Sequence, residues 1–151
     1  MKRTKNWKKH GTVLSVGTVG EPDSKYVADC SVLKVGQEYK MWYSGQDGTS
    51  FRILYANSSD GINWTKHGIA LDLGVYGTLD DRQVFGPSVL AVDGGYCMYY
   101  SGSDGMGYKI LLATSGDGTN WTRRGLVVDV GRHGDSDSVN IQGPTVVQNS
   151  Q

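Results

Sequence analysis

Neither sign of charge prevails in this chain: 15 Lys and Arg residues stand against 15 Asp and Glu, leaving no net charge at neutral pH. Nucleic-acid and anionic-membrane binding both depend on clustered positive charge, so neither partner is expected. The one basic cluster, Lys2-Arg3 to Lys8-Lys9, reads as a solvated terminus. Cysteine is equally scarce. Cys30 and Cys97 occupy unrelated places in the pattern described below, make no disulfide framework, and are expected as free buried thiols. No apolar run approaches the roughly 20 residues of a membrane span, and Met1 to Gly11 has no apolar stretch of the secretory type, so the expected location is the cytoplasm. A 3.6-residue hydrophobic period is missing throughout, which argues against helices. Phosphate-binding loops, dinucleotide fingerprints, zinc-type cysteine pairs and nucleophile elbows are missing as well, so no cofactor and no metal is expected.

What the chain does have is an internal repeat. Asn6-Trp7-Lys8-Lys9-His10-Gly11 returns as Asn63-Trp64-Thr65-Lys66-His67-Gly68 and again as Asn120-Trp121-Thr122-Arg123-Arg124-Gly125, a constant step of 57 residues. Gly17, Gly74 and Gly131 keep that step, as do Asp23, Asp80 and Asp137. A fixed period over the whole chain means stacked copies of one supersecondary unit.

The unit is built of strands. Tyr39 to Gly45 matches Tyr96 to Gly102, and Arg52 to Ala56 matches Lys109 to Ala113; both are rich in aromatic and branched residues. Asp47-Gly48 and Asp104-Gly105 stand between these runs, the usual chemistry of a tight hairpin turn, and Ser58 to Gly61 and Ser115 to Gly118 mark a second turn. Each copy therefore reads as four antiparallel strands, over Ser31–Val35, Tyr39–Ser44, Phe51–Ala56 and Asn63–Leu71 in the first. Four-stranded sheets repeated at this spacing are β-propeller blades.

The expected fold is thus all-β, a single partial propeller over residues 1–151 with blades at 26–73 and 83–130. A lone fourth strand at 5–16 precedes them and a lone first strand at 140–148 follows. Propellers close with about four to eight blades. Two blades with orphan strands at each end therefore call for a homo-oligomer, a dimer above all, in which one chain's orphan first strand meets the other's orphan fourth strand and edges are protected.

With the blade pattern in place, Ala28-Asp29-Cys30-Ser31-Val32-Leu33, the run Tyr39 to Gly45, and Ala56 to Trp64 resemble the five-bladed β-propeller glycosidases, the superfamily of arabinanases, xylosidases and fructan hydrolases. The resemblance implies carbohydrate, pentose- or fructose-containing, as the partner. It also implies catalytic carboxyls at the openings of innermost strands: an Ala-Asp-Pro opening for the general base, an Asp-Pro for a tuning residue, a Glu-Gly-Pro for the general acid. Here those openings are Ala28-Asp29-Cys30, Phe85-Gly86-Pro87 and Gln142-Gly143-Pro144, and only the first keeps its carboxylate.

Asp29 is accordingly the candidate catalytic residue, and its repeat equivalents, Gly86 and Gly143, show that the blade itself does not demand an acid there. Arg82, Phe85 and Gln142 are the candidate substrate-binding residues: Arg82 and Phe85 break the repeat just ahead of an innermost strand, and Gln142 holds the place of the acid. An amide has no proton to give at a useful pKa, whereas inverting hydrolysis uses two carboxyls. Two readings follow, a glycosidase-like domain or a non-catalytic oligomeric module. The recurring tryptophans read as packing between blades, Trp42 as core, and Asp23, Asp80 and Asp137 as loop residues that cap backbone amides.

Overall fold

The computed structural model describes residues 8–148. Its described residues form eight strands: β1 (Tyr26–Val35), β2 (Glu38–Gln46), β3 (Phe51–Ser58), β4 (Thr65–Leu71), β5 (Gln83–Val92), β6 (Gly95–Ser103), β7 (Tyr108–Ser115) and β8 (Thr122–Val128). They make two four-stranded antiparallel sheets, ordered β1-β2-β3-β4 and β5-β6-β7-β8. Each is a propeller blade, and the fold is all-β. Among the described residues no helix is long and apolar enough to cross a membrane.

The Asp-Gly signals do what their chemistry predicts. Gly48 and Gly105 adopt positive φ in the β2–β3 and β6–β7 turns. Asp47 Oδ1 accepts from Thr49 Oγ1 at 2.6 Å and from the Thr49 amide at 2.8 Å, closing the turn locally. These bonds, the hydroxyl first, hold the Asp47 carboxyl far below the usual range.

Alternation along the strands builds two cores. On one face of the first sheet Trp42, Ile53, Tyr55 and Leu71 pack against Val84, Val89, Tyr96, Met98, Tyr100 and Leu111 of the second sheet. On the other face Met41, Tyr43, Leu54 and Ala56 cluster with Leu14, Val27 and Trp64. Both faces of β2 and β3 are therefore covered, which explains their nearly unbroken burial. Trp42 is fully buried as the core residue expected, and its Nε1 donates to the Gly118 carbonyl across the seam at 2.7 Å. Trp121 meets it edge-on, 6.0 Å between ring centroids, and is packing between blades. Trp64 belongs instead to the outer cluster of its own blade, and Trp7 lies outside the described residues.

Both terminal segments depart from expectation. Residues 8–16 of the expected 5–16 strand carry no ladder, and residues 5–7 lie outside the described residues; residues 140–148 are not a strand either. A strand exists only with a partner: a fourth strand pairs with its own blade's third and a first strand with its own blade's second, and among the described residues neither segment has such a neighbour. The 140–148 segment nevertheless sits where a first strand belongs. Gly143 and Val146 amides donate to Ser101 and Ser88 Oγ at 2.9 and 3.1 Å. One repeat earlier, Gly86 and Val89 donate to Ser44 and Ser31 Oγ at 2.9 and 3.0 Å.

Asp23 and Asp80 are structural, but by a different route from backbone capping, while Asp137 is exposed. Asp23 Oδ2 accepts from Tyr43 Oη at 3.0 Å and Lys66 Nζ at 2.6 Å; Asp80 Oδ2 accepts from Tyr100 Oη at 2.8 Å and Arg123 Nε at 2.7 Å. Gly17 and Gly74 leave room for them, since a Cβ there would stand 2.3 and 2.2 Å from the Asp23 and Asp80 Oδ1 atoms. The cysteines are free, yet Cys30 is exposed and Cys97 half-buried, not buried as expected. Cys30 lies on β1.

Candidate functional site

Sequence reading began the first strand of each blade at Ser31 and Ser88, whereas the strands begin at Tyr26 and Gln83. The added residues contain a bulge. Register slips between Ala28 and Ser31 on β1, and between Phe85 and Ser88 on β5. At both bulges the backbone turns left-handed, with φ of 44° at Asp29 and 60° at Gly86, and it does so again at the equivalent Gly143, with φ of 68°. Two of the three copies use glycine, which takes this conformation without a Cβ penalty. Asp29 is the sole non-glycine residue with positive φ among the described residues. Asp29 thus carries a side chain in a conformation for which the other two copies use glycine.

The three copies converge here. A cleft of about 540 Å³ is lined by residues 29–32, 85–88 and 142–145, the last two stretches being repeat equivalents and the first displaced from them by one position. It meets a second hollow of about 350 Å³ at Asp29, Phe85 and Gln142, whose remaining walls are Gln46, Phe51, Gln83 and Tyr108. The pairing of Tyr26 with Gln46 and of Gln46 with Phe51 brings the β2–β3 hairpin to the end of the sheet where Asp29 lies. Gln83 then ties the blades together: its Oε1 accepts from the Phe51 amide at 2.7 Å, as Asn140 Oδ1 accepts from the Tyr108 amide at 3.0 Å one repeat later.

A family 117 glycoside hydrolase of the marine bacterium Zobellia galactanivorans superposes with a TM-score of 0.74 over 89% of this chain and 48% of its own, at 21% identity. The fold is that of propeller glycoside hydrolases. A β-1,2-mannoside-targeting member of glycoside hydrolase family 130 aligns with a TM-score of 0.58 at 20% identity, over 66% of this chain and 31% of its own. By sequence, an uncharacterized Mycobacterium tuberculosis protein is 33% identical over 101 residues, 62% of this chain and 33% of its own length. A 1,2-β-oligomannan phosphorylase of a Thermoanaerobacter species is 36% identical over 84 residues, 52% of this chain and 27% of its own length. The chain thus spans about a third of the curated relatives it matches. No family model matches it.

Of the residues singled out from sequence, the glycoside-hydrolase-like fold brings Asp29, Phe85 and Gln142 together. Arg82 is elsewhere: it is exposed, its Nε 3.7 Å from Asp81 Oδ1 and its stem against Gly105, and it lines neither part of the cleft. Gln46, Phe51, Gln83 and Tyr108 escaped sequence reading. Their signal was the variation of one repeat position as Tyr26, Gln83 and Asn140, and an aromatic residue closing each Asp-Gly turn.

Chemically the cleft offers one carboxylate, three glutamine amides and three aromatic rings. Phe51 and Phe85 lie 5.9 Å apart between centroids, and Tyr108 stands edge-on to Phe85 at 5.2 Å. The nearby charges are committed elsewhere: Arg52 pairs with Asp47 at 3.0 Å and Asp72 at 2.8 Å. Among the described residues lining the cleft, Asp29 is the single carboxylate.

Proposed function

We propose that this chain binds a carbohydrate in the cleft where Asp29, Phe85 and Gln142 converge. The observation that carries the reading is Asp29 itself, a carboxylate held in left-handed backbone at the mouth of a glycoside-hydrolase-like funnel where both repeat equivalents are glycine. Carboxylate and amide groups suit sugar hydroxyls, and aromatic faces suit the apolar face of a sugar ring. The glycan class is pentose- or fructose-containing from the sequence resemblance, with mannose-containing oligosaccharides added by the name of the Thermoanaerobacter relative. Oligomerisation is part of this proposal, because a ring of blades surrounds such a funnel. Isothermal titration against an oligosaccharide panel tests it: the chain is expected to bind at least one member saturably, and Asp29→Gly to weaken that binding at least tenfold while remaining folded. Equal affinity in the variant removes Asp29 from the site.

Binding without turnover is the second reading, favoured by the single carboxylate of the lining. In a turnover reading Asp29 activates water, and a second carboxyl with raised pKa protonates the leaving oxygen from outside the two blades, since Gln142 cannot. Reducing-sugar release from the bound oligosaccharide separates the two: turnover by the pure chain rejects the binding-only reading.

A further inference from the structure

The chain contains only two phenylalanines, Phe51 and Phe85, and both stand at the mouth of the cleft. With Tyr108 they form a ledge of three half-buried rings drawn from both blades. Core packing does not account for them, since neither phenylalanine nor Tyr108 belongs to either hydrophobic cluster. Beside the ledge, the Gln83 amide has a fixed orientation. The Phe51 backbone N–H is a donor, so the atom facing it is Oε1, which leaves the Gln83 amino group as a donor at the cleft wall. Gln46 and Gln142 add two further amides.

Charge sharpens the picture. No Lys, Arg or His lines either part of the cleft among the described residues, while Asp29 contributes a negative charge. A uronate or phosphate group here would stand beside a like charge with no cation to compensate it. Neutral hydroxyls meet only donors and acceptors that fit them.

We propose that the Phe51–Phe85–Tyr108 ledge, flanked by Gln46 and Gln83, is a stacking subsite that takes an uncharged sugar unit and rejects uronate and phosphate groups. This rests on the carbohydrate reading above and adds to it a binding surface and a rule of selection. The sugar's apolar face lies on the rings, its edge hydroxyls reach the amides, and its neighbouring unit extends toward Asp29.

Isothermal titration with 1,2-β-mannotriose, xylotriose, a fructan trisaccharide, trigalacturonate and inorganic phosphate tests it. A neutral trisaccharide is expected to bind at least tenfold more tightly than trigalacturonate and to be undisturbed by phosphate. Phe85→Ala is expected to weaken it tenfold or more, and Phe85→Tyr to restore most of the affinity. Gln46→Lys, which leaves the rings intact, is expected to narrow the gap between trigalacturonate and the neutral ligand and keeps the test alive if Phe85→Ala does not fold. The exposed Cys30 thiol locates the ligand: its alkylation by iodoacetamide should slow when the cleft is filled. If no sugar binds, the carbohydrate reading falls and this inference with it. If a neutral glycan binds but the charged one binds as well, or Phe85→Ala has no effect, the carbohydrate reading stands and the ledge is overturned.

Discussion

At the scale of single residues, Asp29 sets stability against function. Left-handed backbone costs a non-glycine residue about 1–2 kcal/mol, less for Asp, and glycine's larger unfolded-state entropy returns about 0.5–1 kcal/mol of that on substitution. Asp29→Gly is therefore expected to leave the unfolding free energy unchanged or to raise it by up to about 1 kcal/mol, read in urea, while glycan binding is lost. A clear destabilisation would show that the side chain is structural. Lys66 presents the opposite case. Its ammonium stands 2.6 Å from Asp23, whose side chain is only 2% exposed, and removing one partner of such a pair leaves a buried charge uncompensated. Lys66→Met is expected to destabilise by about 3 kcal/mol at pH 7. The Tyr43 hydroxyl that shares Asp23 is pushed above its ordinary range, mainly by burial and then by the carboxylate. Its contribution is thus complete below the unfolded tyrosine value of about 10 and is lost as pH rises beyond it.

Among elements, the seams between blades depend on serine hydroxyls as acceptors. Ser44→Ala leaves the buried Gly86 amide without a partner, and Ser101→Ala does the same to Gly143 where the bond is only partly buried. An unsatisfied buried donor costs about 1–3 kcal/mol. Ser44→Ala is expected near the upper end and Ser101→Ala near the lower; equal losses would mean that burial of the seam does not set their strength. The Asp60 and Asp117 turns, like that of Asp47, contribute to the acid side of the stability profile. Backbone donation from Asn63 to Asp60 and from Asn120 to Asp117 leads the causes that hold both carboxyls well below their usual range. A depressed folded pKa stabilises above the unfolded value of about 3.9 and is lost as pH falls below it. The melting temperature is expected to fall between about pH 5 and pH 2, and the Asp60→Asn, Asp117→Asn double variant to fall less steeply. The strand and turn pattern was legible because it repeats: the Trp, Asp-Gly and aromatic positions each recur at the 57-residue step. The bulge was not, because Asp29-Cys30 and Gly86-Pro87 look like breaks in a strand and become a kink within one only when β2 and β6 hold the other side. Asp29, Phe85 and Gln142 were legible as departures from the repeat, whereas Gln83 and Phe51 depend on a contact between blades that no local pattern encodes.

For the whole molecule, the two flanks of the blade pair are unequal. Val89 on β5 is 3% exposed because the first sheet covers it; its repeat equivalent on β1, Val32, is 43% exposed. The surface that covers Val89 includes Ser31 Oγ, the acceptor for its amide. Repeat symmetry therefore states what would cover Val32: the flank of another blade offering hydroxyl acceptors to the β1 backbone. We retain the dimer proposed from sequence as the source of that flank, and light scattering at tens of micromolar chain is expected to give twice the chain mass. Val32→Lys, which places a charge on that flank, is expected to shift the mass to that of one chain. A monomeric mass at every concentration, unchanged by Val32→Lys, rejects the dimer. The same experiment bears on the cleft, because any ligand that binds the assembled form preferentially shifts assembly by mass action. If a second copy supplies part of the funnel wall, glycan affinity must rise with chain concentration, and saturating glycan must lower the concentration at which dimers form. If the two blades bind their ligand alone, affinity is independent of chain concentration.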